Sequence, residues 1–341
     1  MKEVLLSTSD ISKYRQTLMG VAILGVIATH WCGFQSITSG AVYTIFYIIG
    51  KLVFTEGLLF LSGFGLYYSF FKNPSKRMFY QKRLRRLYLP FLILSLPLYS
   101  FYLFFAEDYD VTVFLEQITT VYFWIHGNYY GMWYVALSIV LYLLFPFLYR
   151  YLFNDNCKDY VIIRFLLLML LIVIALLFLS LYYDDYFQRI AVGVTKIPMF
   201  ILGIVFGYYT KNNLLSNKRY LIVITICFVI YMGLSLVKHN YWAGVTIAML
   251  IKLVLMPIIC LILNILEKAN FNIIRRLLDW LGKYSLELYI LHLHFYMFLN
   301  YCVFESVPIL WKATVSMMLA LFFCVPTNRL LSKILMVINI S

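Results

Sequence analysis

The sequence predicts an all-α, polytopic membrane helical bundle of about ten transmembrane helices, and three observations carry that reading. First, 63% of the chain is hydrophobic and only 13% is charged, whereas a water-soluble protein holds roughly 45–50% apolar and about 25% charged residues because its surface must be solvated. Second, the mean hydropathy is +0.86, and apolar stretches recur at about the ~20 residues that a spanning helix requires. Third, the net charge is +13, from 28 Lys and Arg against 15 Asp and Glu. In a soluble chain that balance would suggest nucleic acid. In a polytopic one it is the cytoplasmic excess of Lys and Arg, so no nucleic-acid partner is expected.

Within 341 residues, ten spans and short loops leave no room for a sizeable soluble domain. The chain 1–341 reads as a single membrane-embedded domain whose function lies inside the bundle or on its rims. The predicted spans are 17–34, 43–71 (overlong, hence tilted or broken), 88–106, 132–153, 162–183, 190–209, 220–237, 242–266, 280–300 and 307–327. The first follows Lys2, Lys13 and Arg15, and the weak small-residue run Ser39-Gly40-Ala41 leads straight into further apolar sequence, so it reads as uncleaved.

Ten spans put both termini on one side. Assigning them to the cytoplasm places 21 of the 28 Lys and Arg there, seven of them in 72–86. Glu107, Asp108, Asp110, Glu116, Asp184, Asp185 and Glu305 gather on the opposite side, which supports that orientation in the cell membrane. The segment 107–131 is rich in aromatics (Tyr122, Phe123, Trp124, Tyr129, Tyr130) and reads as interfacial or partly re-entrant. Pro90, Pro97, Pro146, Pro198 and Pro257 fall inside spans, which such residues bend or break. The six cysteines are scattered without a C-x-x-C pair and read as small packing residues.

Ionisable residues inside spans are expensive and therefore functional candidates. His30 ends the first span. It can stay neutral in lipid and suits proton transfer at cellular pH, although an interhelical hydrogen bond would equally explain it. Lys51 and Glu56 each cost about 2.5–3.5 kcal/mol at a helix centre and must face inward. Phe60-Leu61-Ser62-Gly63-Phe64-Gly65 follows, with glycines that read as close-packing sites. Lys72 to Arg86 is the strongest charge cluster. Within it Lys82-Arg83-Leu84-Arg85-Arg86 opens the third span, and Arg83 and Arg86 share a helix face. Two guanidinium forks there fit a phosphate group, while a plain anchor to lipid headgroups is the alternative.

In the ninth span Lys283 and Glu287 stand at i, i+4 and could neutralise each other. His292 and His294 differ by ~200° around the helix, so at most one of them shares a cavity with Glu287. No His-x-x-x-His metal pair, Walker loop, G-x-G-x-x-G or G-x-S-x-G elbow occurs, and no metal is expected.

Taken together, these segments resemble the acyltransferase-3 family of integral membrane O-acyltransferases, which modify glycans and other extracytoplasmic acceptors. The matching pieces are the span ending in His30, Phe60 to Phe64, Arg83-x-x-Arg86 leading to Pro90, Trp133-Tyr134 with Tyr142 and Pro146, and Gly282 to His292. The resemblance runs from about residue 13 to the C-terminus. It implies a ten-span enzyme that carries an acyl group, commonly acetyl from cytoplasmic acetyl-CoA, to a hydroxyl of a cell-surface or lipid-linked glycan.

The family's essential His falls on His30 and its two-arginine signature on Arg83 and Arg86. The family often has Arg or Lys eleven positions before that His. Here that position is Met19, and Arg15 lies one turn earlier on the same face. With the other candidates added, His30 and Glu56 are expected to be catalytic, Arg83, Arg86, Arg15 and Lys82 to hold the donor, and Trp133, Glu287 and His292 to lie with the acceptor. A multi-pass transporter or flippase using Lys51, Glu56, Glu287 and the histidines as a path is the rival, although no internal repeat supports it.

Overall fold

The computed structural model describes residues 9–35, 40–41, 43–45, 55–107, 109–127, 132–153, 160–212, 214, 241–303 and 307–337. Among these the secondary structure is helical, with no strand. The predicted span 220–237, together with Lys51, Asp108, Tyr129, Tyr130 and Glu305, lies outside the described residues.

The helices, in chain order, are α1 (Ser9–Lys13), α2 (Arg15–Gln35), α3 (Thr55–Lys72), α4 (Lys76–Arg83), a π turn (Leu84–Tyr88), α5 (Leu89–Phe105), α6 (Val111–Ile118) and α7 (Val121–His126). They continue with α8 (Trp133–Leu152), α9 (Val161–Tyr182), α10 (Asp184–Val194), α11 (Ile197–Lys211), α12 (Tyr241–Lys268), α13 (Asn272–Lys283), α14 (Ser285–Cys302) and α15 (Ile309–Val337).

Six stretches among the described residues are long and apolar enough to cross a membrane: Arg15–Gly33, Lys76–Phe105, Trp133–Leu152, Val161–Tyr182, Asp184–Lys211 and Ile309–Val337. The predicted second and ninth spans fall on α3 and α14, each only 18 residues long. Both carry buried polar groups, Glu56 on α3 and Glu287, His292 and His294 on α14. Helices enclosed by the bundle can hold such groups, and lipid-facing ones cannot. The contrast is α9, whose Leu167, Leu171, Ile174, Phe178 and Leu181 are all exposed.

Glycines set the closest helix pairs. A Cβ on Gly63 would lie 2.1 Å from Phe200 O, and one on Gly203 would lie 2.1 Å from Phe60 O, so α3 and α11 meet backbone to backbone through reciprocal small residues. Gly20 and Gly282 do the same for α2 and α13, facing Leu278 O and Gln16 O. The helix α2 is the hub, touching α3, α13, α14 and α15. The expected packing role of the Phe60–Phe64 glycine is therefore observed.

Local chemistry shapes the rest. Pro90 has no N–H and its ring crowds the carbonyl four residues back, that of Arg86. Just before it the helix widens, with Leu89 N–H donating to Leu84 O, a π insertion of the kind that often marks functional sites. Pro198 sits in the first turn of α11, where a missing N–H costs nothing. Pro97 and Pro146 instead lie inside α5 and α8.

The stretch expected to be interfacial or partly re-entrant forms α6 and α7. Asp110 caps α6 through Val113 N–H at 2.8 Å, and Tyr88, the last residue of the π turn, donates to Ile118 O at 3.3 Å. The segment that leaves the far end of α5 thus folds back along it.

The ninth predicted span is corrected by the structure. Residues 272–283 form a separate amphipathic helix, α13, and the chain turns at Tyr284 before α14 begins. Lys283 therefore does not pair with Glu287. Its ammonium lies 5.2 Å from the Tyr284 ring centroid, while Glu287 is buried and accepts from Asn328 Nδ2 at 2.6 Å. Cys32, Cys260 and Cys324 are buried as expected, whereas Cys302 is exposed.

Candidate active site

The end of α4, the π turn and the start of α2 converge on a cavity of about 220 Å³ lined by Arg15, Arg83 and Arg86, with Met19, Tyr134, Tyr142, Ser285 and Tyr289 among its walls. Arg15 reaches it from the first turn of α2, with Nε donating to Leu61 O at 3.0 Å. Its guanidinium fills the space above Gly65, where a Cβ would lie only 2.5 Å away. Arg83 lies 5.5 Å from the Phe79 ring centroid and 5.8 Å from that of Tyr142, at cation–π range. Its Nε is buried with no hydrogen-bond partner. Tyr142 is itself held by Ser62, hydroxyl to hydroxyl at 2.8 Å.

The ion pairs among the described residues are Lys13–Glu267, His126–Glu116, Arg275–Glu267 and Arg275–Asp279. None involves the three cavity arginines. Three cations sharing one space repel one another, and Arg15 and Arg83 are partly buried, so the arrangement favours a bound anion.

The inner wall of the cavity is aromatic. Tyr134 and Tyr289 stand with ring centroids 5.3 Å apart. Tyr289 lies 6.5 Å from the ring of His30 and 6.0 Å from that of His292. Behind Tyr289 the two histidine rings lie nearly coplanar and edge to edge, centroids 5.1 Å apart and planes 21° apart, with His30 Nδ1 and His292 Nε2 at 2.8 Å. His292 Nδ1 lies 2.7 Å from Leu288 O.

Four of the sequence candidates beyond His30 thus come together: Arg15, Arg83, Arg86 and His292. Met19, one turn after Arg15 on α2, also lines the cavity. Lys82 is exposed and outside the cavity. Trp133 is buried beneath Lys196, whose ammonium is 5.0 Å from the Trp133 ring centroid, and its neighbour Tyr134 holds the cavity position. Glu56 is buried at the N-terminal turn of α3, 4% exposed.

Glu287 faces Asn328 on α15, on a different side of α14 from the His292 that meets His30. His294 turns toward Tyr99, ring centroids 5.6 Å apart, so the expected separation of the two α14 histidines is observed. Tyr289 was not singled out by the sequence, although its position three residues before His292 puts both on one helix face.

No curated protein and no solved structure matches the chain. The family model described as acyltransferase domain does match, over residues 17–329. That match spans Arg83, Arg86 and both histidines and begins two residues after Arg15, and with the membrane-length helices it makes the chain a member of the acyltransferase-3 family, a membrane acyltransferase.

Proposed function

We infer that the protein transfers an acyl group, acetyl by preference, from cytoplasmic acyl-CoA to a hydroxyl of a cell-surface or lipid-linked glycan. The observation that carries this reading is the arginine cavity, cationic and without a carboxylate partner among the described residues, backed by Tyr289 and the His30–His292 pair. CoA is a polyanion with phosphates at one end and the thioester at the other. Arg15, Arg83 and Arg86 would hold its phosphates through charge-assisted hydrogen bonds. His30 lies ~22 Å along α2 from Arg15 at 1.5 Å per residue, a depth suited to a thioester carried on an extended arm.

A sugar hydroxyl is a weak nucleophile at neutral pH. His30 would accept its proton as the oxygen attacks the thioester carbonyl, a contribution of about 10²–10⁴-fold. The C–S bond then breaks, and the CoA thiolate leaves and takes up a proton. Ten spans, cytoplasmic termini and residence in the cell membrane complete the proposal, since that orientation opens the arginine rim to the cytoplasm.

The test is CoA titration and acetyl transfer with purified protein. Arg83→Ala and Arg86→Ala should each weaken acetyl-CoA binding about 10–150-fold, the loss of ~1.5–3 kcal/mol per charged contact. His30→Ala should bind donor normally and transfer nothing, and Glu56→Gln, run beside it, reports on the second catalytic candidate. Unchanged donor affinity in both arginine variants would return the cluster to a topology anchor. A transporter would show no acetyl product in any form.

A further inference from the structure

The geometry points to His292 as the residue that sets the tautomer of His30, a neutral acceptor standing where a carboxylate stands in a Ser-His-Asp triad. The inference rests on the reading of His30 as general base.

Protons can be assigned along the pair. A carbonyl oxygen only accepts, so His292 Nδ1, 2.7 Å from Leu288 O one helical turn back, carries a hydrogen and donates it. His292 is 0% exposed, and a second proton would place an uncompensated charge inside the bundle, which is costly there. Its Nε2 therefore holds a lone pair. The atom facing that lone pair at 2.8 Å is His30 Nδ1, which must be the donor of this bond. Neutral His30 then has its basic lone pair on Nε2.

The order of hydrogen bonds is thus His30 Nδ1–H to His292 Nε2, and His292 Nδ1–H to Leu288 O. A free imidazole divides itself between two tautomers, and only one of them presents Nε2 as a base. In serine proteases the group behind the histidine performs this selection, and its loss through a wrong tautomer costs about 10⁴ in kcat. A neutral imidazole achieves the same selection here without burying an anion. When His30 takes the hydroxyl proton, its Nδ1–H stays bonded to His292, which steadies the imidazolium. His292 need not touch donor or acceptor, so it acts as a positioning residue.

Two substitutions separate this role from packing. His292→Phe keeps a flat ring beside His30 and removes the acceptor. His292→Gln removes the ring and sets an amide oxygen near the former Nε2. Purified variants are supplied with radiolabelled acetyl-CoA and membranes of the native cells as the source of acceptor, and the label incorporated per folded molecule is followed.

The expected result is a kcat loss of about 10²–10⁴-fold for His292→Phe, with KM for acetyl-CoA within about twofold of wild type, and at least tenfold better turnover for His292→Gln. Nitrogen-15 NMR of labelled histidine should show His30 Nε2 unprotonated in the wild-type and Gln proteins. If Phe matches wild type or exceeds Gln while His30→Ala is dead, His292 is a packing ring and the inference fails with the base reading intact. Turnover by His30→Ala would instead remove the base reading itself. Should the Phe variant not fold, a protonated His30 Nε2 in the wild-type protein still overturns the assignment.

Discussion

At Gly65 one methyl group decides where Arg15 stands. A Cβ there would come within 2.5 Å of the guanidinium, and because that group is the far end of a flexible side chain it can move aside. Gly63, two residues earlier, faces the Phe200 carbonyl at 2.1 Å, and backbone cannot yield in the same way. The two alanine substitutions should therefore diverge. Gly65→Ala is expected to melt near the wild-type temperature and to bind acetyl-CoA about tenfold or more weakly, since one charge-assisted contact of ~1.5–3 kcal/mol is misplaced. Gly63→Ala should lose about 1–3 kcal/mol of stability through overpacking while the molecules that fold keep their donor affinity. Melting curves and CoA titration on both proteins check this, and a Gly65→Ala protein with normal affinity would mean that Arg15 takes no part in donor binding.

Among the elements, a polar knot ties α1, α12 and α13 together where they meet. Glu267 accepts from Lys13 Nζ at 2.8 Å, from Tyr14 Oη at 2.5 Å and from Arg275 Nη1 at 2.7 Å. The hydrogen bonds from Lys13 and Tyr14 hold its carboxyl down at about 2, from an ordinary 4.5, and the same bond raises Lys13. A carboxylate whose folded pKa is depressed contributes stability above its unfolded value and loses it as pH falls toward the folded one. Wild type should accordingly lose thermal stability as pH drops from about 4.5 toward 2. Glu267→Gln should melt lower at pH 7 and show a shallower acid limb. Parallel acid limbs in the two proteins would show that the knot adds nothing to stability.

The elements also mark how far the sequence could be read. Strongly apolar spans such as 132–153 and 162–183 became α8 and α9 almost to the residue, because lipid exposure writes itself as hydropathy. The helix α13 went unread, although Ile273, Ile274, Leu277, Leu278 and Leu281 already stand at helical spacing between Arg275, Arg276 and Asp279. An interfacial helix is half polar, so a window tuned to spans averages it away. The Lys283–Glu287 pair failed for the same reason, since i, i+4 spacing carries meaning only if one helix runs through both positions. Arg83 and Arg86 were legible because their partnership is local. The His30–His292 bond joins residues 262 apart, and no local pattern encodes which two distant histidines will meet.

On the scale of the whole molecule, charge distribution and site geometry make one claim about sidedness. Counting Lys and Arg assigned 72–86 to the cytoplasm, and α4 with the π turn now puts Arg83 and Arg86 of that segment on the cavity that would take cytoplasmic acyl-CoA. One membrane-length stretch, Lys76–Phe105, separates Lys76 from Glu107, and two more, Trp133–Leu152 and Val161–Tyr182, separate Glu107 from Asp185. We count no crossing between α5 and α8, because α6 and α7 are eight and six residues long, each far short of the ~20 residues that a span requires. Glu107 and Asp185 should then share one face of the membrane and Lys76 should lie on the other. Exposed Cys302 is replaced first, and single cysteines are placed at these three exposed positions. A membrane-impermeant maleimide should label Glu107→Cys and Asp185→Cys on intact cells and Lys76→Cys only after permeabilisation. Labelling of Lys76→Cys from outside would turn the arginine cavity away from the cytoplasmic donor. Opposite behaviour of Glu107→Cys and Asp185→Cys would mean that one of the two intervening helices does not cross, and with it the ten-span count would fall.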